Sequence, residues 1–327
     1  MTLTQLKYMN TVAEFGNFTI AAEKCCVTQP TLSMQIQKLE EELGVKIFNR
    51  STKPIILTDI GEKIIIQAKK ITQEASRMDD IVSTEKGFIG GEFKLGIIPT
   101  VMPTLLPMFL NTFTKKYPKV DLKIEELTTV NITKLTREGH LDAGIAATPL
   151  GMDTIIELPL YHEPFVAYIP DTNPLKSLDQ IEIDDLNSSD VLVLEDGHCF
   201  REGVLNLCKT LKEQKKEPFQ LESGSIEMLV KLSSEGMGMT LLPYLNTLDL
   251  KINEEKNLRF FANPPPAREV SLIYNKNELK IQIIEAIYKT ISEIIIGVIK
   301  FQDVEIISPI KKRLRLNPLS NNSTLDV

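Results

Sequence analysis

Thr28-Gln29-Pro30-Thr31-Leu32-Ser33-Met34-Gln35-Ile36-Gln37-Lys38-Leu39-Glu40-Glu41-Glu42-Leu43 is the stretch on which the fold turns. Thr28 is a good helix N-cap, Pro30 falls in the first turn where a missing N–H costs nothing, and Leu32, Ile36, Leu39 and Leu43 recur at helical spacing. Gln29, Thr31, Ser33, Gln35 and Lys38 lie off that apolar stripe. Upstream, Leu3, Leu6, Met9, Val12 and Ala13 mark a first helix, and Asn17 caps a short second one begun by Phe18, Ala21 and Ala22. Cys25-Cys26-Val27 is the tight connection into the third. Two short helices, the second with a free polar face, read as a helix-turn-helix; a small helical bundle of another purpose shares the same spacing.

Downstream, Gly44-Val45 ends the helix, and Lys46 to Thr58 reads as two short β segments around a polar, basic turn, which is a wing. In Asn17-Phe18-Thr19-Ile20-Ala21-Ala22, in Thr28-Gln29-Pro30-Thr31-Leu32-Ser33, in Leu43-Gly44-Val45-Lys46-Ile47-Phe48-Asn49-Arg50 and at Leu57-Thr58-Asp59-Ile60-Gly61, the sequence resembles the winged helix-turn-helix of LysR-type transcriptional regulators. The resemblance implies a homo-oligomer, such as a dimer of dimers or homotetramer, on double-stranded promoter DNA. Gln29, Pro30, Thr31, Ser33 and Gln35 are then expected at the major groove, with Lys38, Arg50, Thr52 and Lys53 toward phosphates. Met34 and the Lys53-Pro54 wing offer less Arg than many members of the family.

Beyond Thr58 a long helix is predicted to about Lys86, with Ile60, Ile64, Ala68, Ile71, Ala75, Met78 and Val82 at steps of three and four, close to a coiled-coil seam. Either a second copy or the protein's own body can cover such a stripe. A hinge is expected at Gly87 to Gly91. From Phe93, strand-like runs at 93–98, 121–126, 143–147, 164–169, 191–194 and 239–242 alternate with helical patterns near 103–116, 131–139, 200–212 and 225–235, which predicts an open α/β sheet. The family resemblance implies two α/β lobes, 92–162 with 268–301 and 163–267, like a periplasmic binding protein with an effector cleft between them. The expected domains are therefore 1–58 for DNA binding, 59–88 as linker helix, 89–305 as regulatory domain and 306–327 as a flexible tail.

The 327 residues suffice for two or three domains, and 43% hydrophobic with 25% charged residues is ordinary globular composition, which excludes disordered, collagenous and disulfide-dense classes. Net charge is −7, yet residues 1–58 carry +1, so the acidic excess belongs to the remainder. A weakly charged DNA-binding domain points to affinity built from several copies. The N-terminus has no signal-like apolar core, and 281–301 is broken by Glu285, Lys289, Glu293 and Lys300, which reads as an amphipathic helix rather than a membrane span. A cytoplasmic location without membrane contact is expected. No metal or cofactor is expected either: three His and four Cys include no Cys-x-x-Cys or His-x-x-x-His pattern.

The chemistry concentrates at Glu195-Asp196-Gly197-His198-Cys199-Phe200-Arg201-Glu202, where a thiol stands between an imidazole and a guanidinium at a strand-to-helix junction. Cations and helix N-termini draw a thiol toward the thiolate, the form that attacks peroxides. The plainer reading is a small buried Cys. Cys208 follows nine residues later; on one helix that is a rise of about 13 Å, against the roughly 4.4–6.8 Å between Cα atoms that a disulfide needs. It is a core residue unless part of that helix can unwind. Together with Ile98-Pro99-Thr100, Glu126, Thr129 and Gly238-Met239-Thr240-Leu241-Leu242-Pro243, the segment resembles the hydrogen-peroxide-sensing branch of the LysR-type regulators. That resemblance implies Cys199 as the peroxidatic thiol and Cys208 as the resolving one in a reversible disulfide. Thr100, Thr129, His198 and Arg201 would place peroxide, and a cellular thiol reductant would reset the switch. For each Thr a satisfied strand-end hydroxyl is the alternative. Two rival functions share the sequence: a regulator of the same architecture that senses a small organic ligand in the cleft, and a thiol peroxidase.

Overall fold

Thr2 and Gln5 open the first helix reciprocally. Thr2 Oγ1 accepts from Gln5 N at 3.2 Å and Gln5 Oε1 accepts from Thr2 N at 2.8 Å, so α1 runs Leu3–Phe15 and ends at left-handed Gly16. Asn17 Oδ1 accepts from Thr19 N and Ile20 N to start α2, Phe18–Lys24. The third helix, α3, is Gln29–Leu43. Thr28 occupies its N-cap, but the hydroxyl meets Thr31 Oγ1 at 2.8 Å instead of a backbone N–H, so the expected capping bond is not made. Antiparallel β1, Phe48–Asn49, and β2, Ile56–Leu57, form the wing, followed by α4, Asp59–Glu85.

This is a computed structural model that describes residues 1–85, 89–188, 191–208, 224–299 and 304–310. It divides into two units, Met1–Ile89 with Leu279–Gln282, and the rest. In the first, Leu6, Met9, Val12, Phe18, Leu32, Ile36, Leu39 and Ile47 are buried in one core. Leu3 and Leu43, assigned to the apolar stripes, are exposed because the helix ends overrun that core. The predicted seam of α4 is divided: Ile64, Ala68 and Ile71 pack on the domain's own core together with Ile65, whereas Ile60, Met78 and Val82 are exposed. Of the expected hinge, 86–88 lie outside the described residues.

The second unit alternates as expected through β3 (Gly91–Ile97), α5 (Met102–Lys116), β4 (Val120–Glu126), α6 (Thr129–Arg137), β5 (Ala143–Thr148), β6 (Ile155–Tyr168), β7 (Gln180–Ile181), β8 (Val191–Leu192), α7 (Cys199–Leu207), α8 (Ile226–Ser234), β9 (Met239–Pro243), α9 (Tyr244–Thr247), α10 (Ile252–Glu255), β10 (Leu258–Phe261), β11 (Pro266–Asn275), α11 (Ile281–Ile295) and β12 (Glu305–Ile306). One lobe is built on β4-β3-β5-β11-β6, with β3 parallel to both neighbours. The other is built on β7, β10, β6, β9 and β8.

Strand β6 joins the lobes: Ile155 to Pro164 pair with β11, and Phe165 to Tyr168 pair with β9. It is far longer than the expected strand at 164–169. Glu157, Pro159, His162 and Glu163 interrupt its apolar run, and Pro159 is accommodated beside a register shift opposite Val270 and Ser271. The predicted strand at 191–194 is only two residues long, and 209–212 of the predicted helix lie outside the described residues. Residues 306–310, assigned from sequence to a mobile tail, are docked: Glu305–Ile306 pairs in parallel with Pro266–Ala267, and Pro309 is buried. Residues 311–327 lie outside the described residues. No helix among the described residues is long and apolar enough to cross a membrane.

Candidate functional site: a buried cation beside a helix-starting thiol

Leu194 is buried at the end of the segment after β8, and the chain then turns through Gly197, whose φ of 96° is a left-handed conformation that favours glycine. His198 becomes the N-cap of α7 and Cys199 its first residue, as the sequence predicts, so the thiol stands at the positive end of the helix dipole. His198 is buried, with Nε2 3.5 Å from Glu195 Oε1. Gly224 presses against it: a Cβ there would stand 2.8 Å from His198 Nε2, so only glycine leaves the imidazole its place.

The cation that accompanies the thiol is Arg268 on β11, a residue that sequence reasoning missed. It is 3% exposed and donates from Nε and Nη2 to Glu163 Oε2 at 2.9 and 2.7 Å, from Nη1 to Thr100 Oγ1 at 2.7 Å, and from Nη2 to the Thr100 carbonyl at 3.2 Å. Its guanidinium lies 5.2 Å from the Phe200 ring centroid. Burial works against the charge of Arg268, but Glu163, Tyr161 and Cys199 together hold its pKa above the ordinary value. The place of Arg268 over Phe200, the residue that follows Cys199, brings the buried guanidinium to the start of α7. Tyr161, its hydroxyl buried without a hydrogen-bond partner, is pushed well above the usual phenol range by burial first and then by Glu163. The available signal was the pair of charged residues Glu163 and Arg268 within strand-forming runs, where a charge that becomes buried must have a partner.

Arg201 has partners in the segment before its own helix. Its Nη1 donates to the Leu194 carbonyl at 2.7 Å, and its Nε stands 2.9 Å from Asp196 Oδ1 as an ion pair without hydrogen-bond alignment. The guanidinium staples the turn before α7. Thr100 is buried and accepts from Arg268, which leaves its own proton to donate. Thr129 begins α6, and its Oγ1 is buried without a partner, an arrangement suited to an incoming polar molecule. Between the lobes lies a cavity of about 840 Å³, lined by Pro99, Glu126 and Asn131 on one side and Glu195, His198 and Ser225 on the other.

Cys208, the C-cap of α7, is 1% exposed among Val204, Leu207 and Leu229, and all four cysteines are free thiols. Burial pushes the Cys208 thiol up to about 12. The neutral thiol is therefore the form the fold prefers, and the stability it contributes is whole below about pH 9 and lost as pH rises toward about 12. Alkylation of Cys208 in the reduced protein is expected to stay slow at neutral pH and to accelerate, with falling thermal stability, across that window; equal alkylation of Cys199 and Cys208 at pH 7 contradicts this burial.

In the winged domain, Gln29, Pro30, Thr31, Lys38 and Lys53 are exposed and Ser33 is half-buried. Three residues expected to contact DNA have internal partners. Gln35 Oε1 accepts from Gln5 Nε2 at 3.3 Å, Thr52 Oγ1 donates to the Asn49 carbonyl at 3.3 Å, and Arg50 donates to Ser33 Oγ at 3.3 Å and to Glu40 Oε2 at 3.2 Å. Glu40, unnoticed in the sequence, is buried and also accepts from Ile47 N and Phe48 N, which pins the wing to α3. Cys25 packs on the core, while Cys26 is exposed.

A winged helix-turn-helix, a long helix and a two-lobed α/β domain with a cleft define a DNA-binding module fused to a sensory one. Residues 3–62 match the bacterial regulatory helix-turn-helix protein, lysR family, and 86–293 the LysR substrate binding domain. The chain belongs to the LysR family of regulators. It is 31% identical over 274 residues to the hydrogen peroxide-inducible genes activator of Dickeya chrysanthemi, covering 84% of this chain and 89% of that protein. The DNA-binding transcriptional dual regulator OxyR of Escherichia coli K12 matches with the same identity and coverage. Among solved structures, a full-length OxyR variant from Pseudomonas aeruginosa is similar with a TM-score of 0.71 and 34% identity, covering 89% of this chain and 98% of that one. A peroxide-bound OxyR mutant from Corynebacterium glutamicum has a TM-score of 0.61 and 27% identity, covering 90% and 93%.

Proposed function

We propose that this protein is a cytoplasmic, homo-oligomeric transcription regulator that senses hydrogen peroxide through Cys199 and Cys208 and alters its engagement of double-stranded promoter DNA. The observation that carries the reading is a thiol that starts α7, next to the Phe200 ring over which the buried Arg268 guanidinium lies, with a second, occluded thiol at the opposite end of the same helix. The Cys199 thiolate attacks one peroxide oxygen; the S–O bond forms as the O–O bond breaks, and the departing hydroxide takes a proton to leave as water. His198 and the hydroxyls of Thr100 and Thr129 are the groups available to stabilise that departing oxygen. Cys208 then attacks the Cys199 sulfenic acid. The S–S bond forms, the S–O bond breaks, and a second water leaves with the Cys208 proton. Two thiols and one peroxide give one disulfide and two waters, and a cellular dithiol reductant reverses the bond by exchange.

Because α7 separates the Cα atoms of the two cysteines by about 13 Å of helical rise, oxidation has to unwind that helix, and the unwinding is the conformational signal. Binding of the full chain to promoter DNA at one fixed salt concentration, reduced against peroxide-treated, is expected to give a different protected length or an affinity change of about tenfold or more, reversed by dithiothreitol. Identical footprints and affinities overturn the reading. A single stoichiometric burst of peroxide consumption belongs to a sensor, whereas sustained turnover with a reductant belongs to the thiol peroxidase alternative.

A further inference from the structure

The segment 304–310 reaches the redox helix from the sheet. Glu305–Ile306 adds to the edge of β11 at Pro266–Ala267, next to Arg268; Glu305 N donates to the Pro265 carbonyl at 3.0 Å and Ile307 N to the Ala267 carbonyl at 2.7 Å. The chain then passes over the far end of α7. Ile307 packs on the cluster that contains Val204, Leu207 and Cys208, and Pro309 is buried. On α7 itself one side chain holds it: Asn206 Nδ2 donates to the Ser308 carbonyl at 2.8 Å and to the Ile310 carbonyl at 2.9 Å. An amide with two N–H donors can bridge two carbonyls in this way; an aliphatic side chain cannot.

We propose that Asn206 is a positioning residue of the thiol switch: with segment 304–310 it fastens the Cys208 end of α7 shut, and its release sets the rate at which Cys208 reaches oxidised Cys199. The inference rests on the thiol-switch reading above and concerns its second step. The restraint is placed where the chemistry needs movement. Cys199 lies at the start of α7, so peroxide can reach it with the helix intact, whereas Cys208 is buried in the cluster against which Ile307 packs and cannot meet Cys199 while residues 199–207 stay helical. Neither bond of Asn206 touches Cys199, so the first step is untouched by their loss. The two bonds exist only in the closed arrangement and oppose its opening, each with the modest net strength of a neutral hydrogen bond.

The test uses the full-length chain and its Asn206→Ala and Asn206→Gln variants. Rapid-quench alkylation with mass spectrometry follows two rates after a peroxide pulse, loss of the Cys199 thiol and appearance of the Cys199–Cys208 disulfide. Asn206→Ala is expected to leave the first rate unchanged and to raise the second by about tenfold, and Asn206→Gln, which keeps both donors, to return it toward the parent value. Hydrogen exchange of the reduced protein gives an independent reading: amides of 200–208 are expected to exchange faster in Asn206→Ala while those of β3 and β5 do not. An unchanged disulfide rate with normal Cys199 oxidation overturns the role of Asn206 and leaves the thiol switch standing. A global loss of protection in Asn206→Ala assigns Asn206 to general stability and also overturns it. Failure of the parent chain to form the Cys199–Cys208 disulfide overturns the thiol switch, and this inference with it.

Discussion

Replacing Cys199 by Ser is expected to abolish the peroxide-dependent change in DNA binding, while Cys208→Ser is expected to leave the first oxidation step intact and to block only the disulfide. The difference follows from where α7 places the two thiols. Cys199 is the first residue of the helix, partly exposed, between His198 and the Phe200 ring over which the buried Arg268 lies. A serine hydroxyl fits that place but is a far weaker nucleophile at neutral pH, so the expected loss of peroxide reactivity is at least about 10³-fold, beyond what the assay window can follow. Cys208 is buried among apolar side chains with its thiol pushed up to about 12, so it cannot compete for peroxide in the reduced fold. Its replacement should let a Cys199 sulfenic acid accumulate, trapped by dimedone. A Cys199→Ser protein that still changes its footprint with peroxide points instead to a ligand in the cleft.

Arg268→Met is expected to be the most destabilising single change in the sensory domain and to slow the reaction of Cys199 as well. It leaves Glu163 buried with one remaining bond, from Leu245 N to Oε1 at 2.8 Å, and withdraws the donor from Thr100 Oγ1. Removing one partner of a fully buried ion pair typically costs about 3–5 kcal/mol, because the other charge stays desolvated. For a domain of this size that corresponds to a fall in Tm of roughly 10 °C. The double variant Glu163→Gln with Arg268→Met removes the stranded charge, so most of the lost stability should return. Reactivity should not return, because the guanidinium is still missing from the start of α7; a fall of about tenfold or more in the second-order rate constant for peroxide is expected in both variants. Equal peroxide rate constants in parent and double variant would show that Arg268 serves packing alone.

Much of the winged domain was legible because its signals are local. Asn17 caps α2, Leu32, Ile36 and Leu39 point inward, and Gly44 ends α3 in a left-handed conformation, each decided within a turn or two of chain. What escaped was the long-range commitment of polar groups. Arg50, read from sequence as a phosphate contact, is also held by Glu40 and Ser33, and Gln35, read as a base reader, also meets Gln5. Side-chain type states what a group can bond, not which partner folding delivers.

The same division runs through the sensory site. Gly197-His198-Cys199 at a strand-to-helix junction and Cys208 nine residues later are properties of the chain as written, and they locate the reactive segment without coordinates. The partners are another matter. Arg268 approaches that segment from a strand 69 positions away in sequence, and Glu163 from one 36 positions before it, because antiparallel pairing of β6 with β11 sets them together. Asn206 meets Ser308 and Ile310 only after β12 has joined the sheet edge, so residues that read as a tail become a fastening on α7. The sequence by itself determined the order of modules, the helix that carries the thiols and the spacing that forbids their bond on an intact helix, because periodicity and capping act over a few residues. Only the tertiary structure decided which buried cation reaches the start of α7 and which segment meets Asn206 near its end, because a buried charge or an unpaired carbonyl is satisfied by whatever distant strand the folded sheet brings beside it.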